Sequence, residues 1–155
     1  MRLIPLRTLF AAALLLCLPL MATADTLQPF TTDGCTAFPN GTFHENELWL
    51  SCCVAHDYAY WQGGTYDERL AADEALRACV AAVGEPTIAE VMLAGVRVGG
   101  TPYFPTKFRW GYGWPFLHGY TLRGYKVLSA EEREQIAALS VPANSPVSVS
   151  DAPAQ

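Results

Sequence analysis

The residues with the most chemical content lie in "CCVAHDYAYWQGG", Cys52 to Gly64, and in one acid further on, Asp73. Read as a helix, this stretch places Cys52 and His56 four apart, as are Cys53 and Asp57, and His56 and Tyr60, so they stack on neighbouring ridges of one face. An imidazole titrates near neutral pH and can accept or hold a proton. The plainer reading of His56 alone is a satisfied structural histidine, and functional roles need a constellation around it. With the cysteines, His56 also has the makings of a zinc site. Asp73 adds weight to the chemical reading. Leu70, Leu76 and Val80 stand three before, three after and seven after it, which puts the carboxylate on an apolar stripe where it needs a donor.

These residues require two helices to position them. Asn46 is a candidate N-cap for a helix from about Glu47 to Gln62, stopped by Gly63-Gly64. Thr65 with Glu68 reads as a capping box for a second helix through about Val83, with Gly84 as its stop. Thr87 with Glu90, after Pro86, predicts a third that ends near Gly99-Gly100, and Ser129 with Glu132 opens a last short one. Between Gly100 and Ser129 the chain mixes Gly, Pro and aromatics with no helical period, which predicts loops and at most one hairpin. The expected class is therefore mainly α: a small disulfide-linked bundle followed by an irregular, aromatic-rich C-terminal region.

The chain has 155 residues, enough for one domain. Arg2 and Arg7, the run "LFAAALLLCLPLM" and Ala22-Thr23-Ala24 read as a signal peptide over 1–24, cleaved near Ala24. The expected domain is 25–138, and the polar, proline-containing segment 139–155 is expected to be a disordered tail. Loss of the two arginines takes Lys+Arg from 10 to 8 against 15 Asp+Glu, moving the formal charge from −5 to −7. Such acidity argues against nucleic acid as a partner. Four cysteines remain, Cys35, Cys52, Cys53 and Cys79. In an exported chain they imply two disulfides, and three connectivities are open. Neighbouring cysteines project about 100° apart on a helix, so Cys52 and Cys53 should each bond a different element. A Cys52 to Cys79 bond would set the two helices side by side with Asp73 level with His56 and Tyr60.

The pattern Cys52-Cys53-x-x-His56-Asp57-x-x-Tyr60, with Ala72-Asp73 and then Cys79, resembles the active-site helix pair of the secreted phospholipase A2 superfamily. The resemblance covers roughly Gly34 to Val80. It implies two antiparallel active-site helices, bonds from Cys35 to Cys53 and from Cys52 to Cys79, and hydrolysis of the sn-2 ester of phospholipids at a membrane or lipid aggregate. His56 is then the base that takes a proton from water, with Asp73 and Tyr60 as its support. Asp57 would ligate calcium (Ca2+) with the carbonyls of Gly34, Thr36 and Phe38, and the ion would polarise the ester carbonyl. No protein nucleophile is needed, and no Gly-x-Ser-x-Gly elbow occurs. In place of the family's glycine-rich loop stands "GCTAFPNG", with Ala37 and Pro39 within it. The alternative function is an inactive module of the same shape that binds lipid or protein. The tract Phe108 to Tyr120 is expected to cover the core; the competing reading turns Trp110, Trp114 and Phe116 toward lipid with Lys107 and Arg109 near headgroups. Trp49 and Trp61 would either line an acyl channel or pack in the core, while His44 and His118 carry no assigned role.

Overall fold

The computed structural model describes residues 25–140; the expected signal peptide lies outside the described residues, as does the expected tail apart from Leu139, which closes the last helix, and Ser140, which caps it. The elements are α1 (Leu50–Gln62), α2 (Tyr66–Ala82), α3 (Pro86–Gly99), a hairpin of β1 (Leu117–His118) with β2 (Thr121–Leu122), and α4 (Ala130–Leu139). The hairpin is antiparallel, with Leu117 opposite Leu122 and His118 opposite Thr121. No helix among the described residues is long and apolar enough to cross a membrane.

The capping boxes at Thr65/Glu68 and Ser129/Glu132 both form, each hydroxyl accepting from the third-residue amide while the glutamate accepts from the cap amide. Two helix starts differ from expectation. Asn46 does not cap α1, which begins at Leu50 without a side-chain cap. The Trp49 amide donates to the Asn40 carbonyl and its indole to the Pro39 carbonyl. The loop thus takes the amide that would have continued the helix backward. A Cβ on Gly41 would lie 2.0 Å from the Glu45 carbonyl oxygen, so the loop lies tight against the turns before α1. Thr87 is likewise not a cap: α3 starts at Pro86, whose fixed φ and missing N–H suit the first helical position.

Two disulfides, Cys35–Cys53 and Cys52–Cys79, tie α1 to the preceding loop and to α2. Contacts at Cys52/Cys79, His56/Asp73 and Tyr60/Arg69 climb α1 while descending α2, so these helices are antiparallel. With every described cysteine in a disulfide, the zinc reading is overturned. One core cluster gathers Cys35, Trp49, Cys52, Cys53, Leu76, Val80, Ala89 and Met92. A second, on the far side of α1, gathers Leu27, Trp61, Trp114 and Ile136.

The aromatic tract has a definite backbone task. The last carbonyls of a helix lack intrahelical donors. Here Gly63 N–H serves Ala59, Gly111 N–H serves Tyr60, Gly113 N–H serves Trp61, and the Trp114 indole serves Gln62. The Trp110 indole bonds the Gly64 carbonyl. Gly63, at φ +68°, comes so close to Gly111 that a Cβ there would sit 2.8 Å from the Gly111 Cα. Trp110 and Trp114 are accordingly core, in line with the packing expectation. Arg109 is also buried and donates to the Trp110, Gly111 and Trp114 carbonyls, so it does not face outward as the lipid reading required. Trp49 and Trp61 belong to the two core clusters.

Candidate functional site

α1 and α2 meet at His56 and Asp73. Asp73 is 0% exposed and His56 8%. His56 Nε2 lies 3.0 Å from Asp73 Oδ1, and the Tyr60 hydroxyl donates to the same oxygen at 2.7 Å. The His56 and Tyr60 rings lie against each other with centroids 4.2 Å apart. Burial, and then the Asp73 charge, push the Tyr60 phenol well above its ordinary range, so it stays a proton donor. Among the described residues no group bonds His56 Nδ1, and the histidine lines a cavity of about 300 Å³.

The second oxygen of Asp73 meets cations that the sequence reasoning missed. Arg97 Nε, from α3, is 3.0 Å from Oδ2, and Arg69 Nε is 3.9 Å away. The Arg97 contact is ionic rather than a directed hydrogen bond, since neither atom has a partner of good geometry. Arg69 is buried and donates to the hydroxyls of Tyr60 and Tyr125 and to the carbonyls of Val96 and Arg97. It joins α2 to α3 and to the C-terminal region. Its signal was in plain view, an arginine four residues before Asp73.

Asp57, one residue on from His56, turns toward the loop held by Cys35. Thr32 donates to Asp57 Oδ2 at 2.6 Å and its oxygen accepts from the Gly34 amide. Burial lifts the Asp57 carboxyl to about 7; the Thr32 bond opposes this and the neighbouring Asp33 charge adds to it. Among the described residues no cationic side chain pairs with Asp57. Asp33, the acid just before Gly34-Cys35, is a third site residue missed; it pairs with Lys107 at 3.4 Å. Thr31, Thr32, Asp33, Thr36, Asp57 and Tyr112 share a smaller hollow of about 140 Å³ with Lys107 and Phe108.

Gly34, Thr36 and Phe38 all border the larger cavity together with His56 and Asp57. The Gly34 carbonyl accepts from the Thr36 amide at 3.1 Å, and the Phe38 amide donates to Cys35, with Ala37 held at φ 58°. No group of three or more His, Cys, Asp or Glu side chains among the described residues can hold a metal. A cation here would rest on two carboxylates, Asp33 and Asp57, completed by hydroxyl and carbonyl oxygens. That donor set fits calcium, a hard ion that takes oxygen ligands. Asp57, half-buried beside Asp33 and with no cation of its own among the described residues, also meets the electrostatic condition that a bound dication relieves. His44 packs on Phe43, and His118, in β1, pairs with Asp25 at 3.0 Å. Comparison of the chain with family models, curated proteins and solved structures returns no match.

Proposed function

We propose that this chain is an exported, calcium-dependent, phospholipase A2-like hydrolase that cleaves the sn-2 ester of phospholipids. One observation carries the reading: a buried His56–Asp73 pair, its histidine lining a largely apolar cavity. Asp73 holds His56 through Nε2, which fixes the tautomer with Nδ1 as the acceptor and stabilises the imidazolium once formed. His56 Nδ1 takes the proton of a water that attacks the ester. Tyr60 supports the same carboxylate, and Trp110 packs edge-on against Tyr60, with ring centroids 5.1 Å apart. Asp57 and Asp33, with oxygens of the loop at Gly34, Thr36 and Phe38, would hold the calcium ion, which when bound supplies polarisation of the ester carbonyl and charge for the oxyanion. The antiparallel helix pair is thus the active-site scaffold. Two disulfides fit the oxidising compartment that export implies, outside the cell or in a periplasm. The partner is a membrane surface or lipid aggregate.

Hydrolysis of a fluorogenic phospholipid, with and without chelator, tests the proposal. Native protein releases fatty acid only with calcium, and His56→Gln loses at least about a hundredfold, the usual contribution of a general base. Undiminished turnover by His56→Gln overturns the mechanism. The alternative, a lipid- or protein-binding module without catalysis, draws on the Gly34 carbonyl's engagement by Thr36. It predicts liposome binding with no ester cleavage.

A further inference from the structure

The cavity beside His56 has walls of two kinds. On one side stand Phe38, Leu76 and Phe108; on the other α3 presents Val91, Gly95 and Gly99, four residues apart and so on one ridge. Glycine is disfavoured in a helix relative to alanine, and neither Gly95 nor Gly99 has a positive φ that would excuse it. Packing does not excuse it either. A Cβ built at Gly95 or Gly99 meets no atom within 4 Å. Gly100, next in the chain, is the contrast: its Cβ would fall 2.3 Å from the Tyr60 hydroxyl oxygen. Gly100 is required by the fold, whereas Gly95 and Gly99 leave empty space, and that space is the cavity. The same cavity receives His56, 8% exposed and without a partner at Nδ1 among the described residues.

We infer that Gly95 and Gly99 are specificity-determining residues, which keep a groove along α3 open for one straight acyl chain whose ester lies at His56. A volume of about 300 Å³ is at the small end of ligand sites. The preferred substrates are therefore lipid esters whose chain lies extended along the Val91–Gly95–Gly99 ridge. This inference rests on the hydrolase reading for its substrate, though not for its groove.

Phosphatidylcholines with hexanoyl, decanoyl or palmitoyl sn-2 chains test it, alongside displacement of a groove-bound fluorescent fatty acid by the three free acids. Native protein turns over the decanoyl and palmitoyl lipids better than the hexanoyl one. In Gly95→Leu the optimum moves to hexanoyl, with decanoyl turnover down at least about tenfold relative to hexanoyl. Gly95→Ala, which adds a methyl to open space, melts no lower than native and shows the same trend more weakly. An unchanged chain-length profile in both variants overturns the inference, as does a lower melting temperature in Gly95→Ala. If native protein cleaves no lipid, the displacement assay decides: decanoate binding lost in Gly95→Leu upholds the groove while the hydrolase reading falls, and binding unchanged removes the groove as well.

Discussion

In the metal-free protein, Asp57 is a liability that grows with pH. Burial lifts its carboxyl from the ordinary value of 3.8 to about 7, against the Thr32 hydrogen bond and with help from Asp33. The folded state therefore holds this proton more tightly than the unfolded chain. That contribution is complete below the unfolded value and is lost as pH rises through about 7, after which an ionised Asp57 weakens the fold. At 1.36 kcal/mol per pH unit of displacement, the whole effect is at most about 4 kcal/mol, of which about 3 kcal/mol is lost between about pH 5 and pH 8.5. Asp57→Asn keeps an acceptor for Thr32 and cannot ionise. With chelator present, urea unfolding followed by tryptophan fluorescence should show native protein losing about 3 kcal/mol relative to Asp57→Asn over that range, whatever the offset between them. Calcium should reverse the trend for native protein and leave the variant unmoved. A stability difference that stays flat from about pH 5 to pH 8.5, or slopes the other way, refutes the reasoning.

Two further outcomes follow from the ionic contacts. Arg97→Gln removes the cation 3.0 Å from Asp73 Oδ2 while Arg69 stays at 3.9 Å. The Arg97 side chain is a third exposed, so the loss is about 1 to 2 kcal/mol rather than the full cost of a stranded buried charge; Arg97→Lys should restore part of it in thermal melts. Glu132 is buried, which favours its neutral form, yet bonds from Lys126, the Ser129 amide and Arg123 overcome this and hold it at about 2. Its contribution is present above the ordinary value of 4.5 and is lost as pH falls toward about 2, some 3 kcal/mol in all. Acid titration of Trp114 fluorescence should report it, because Arg123 lies 4.3 Å over that ring, and Glu132→Gln should flatten the low-pH transition.

Local chemistry along the chain was sufficient for much of this molecule. Capping boxes at Thr65 and Ser129, the glycine stop at Gly63-Gly64 and the apolar stripe around Asp73 are short-range patterns, and they predict α2, α4 and the burial of Asp73 that the structure contains. The chain that resembles a double-cysteine helix pair also forms both expected disulfides. Tertiary structure decided what depended on distant segments. α1 begins at Leu50 rather than near Glu47 because the Asn40 and Pro39 carbonyls, ten or so residues upstream, compete for Trp49. Arg97 reaches Asp73 only once α3 packs on α2, and Asp33 loads Asp57 only once the Cys35–Cys53 bond folds the loop over α1. The role of the aromatic tract, supplying donors to the open end of α1, has no local signature at all, since hydrogen-bond partners across the fold leave no fixed spacing in sequence. Periodicity and capping are properties of neighbouring residues; a cavity, a shared carboxylate and the Asp33–Asp57 acid pair exist only where separate elements meet.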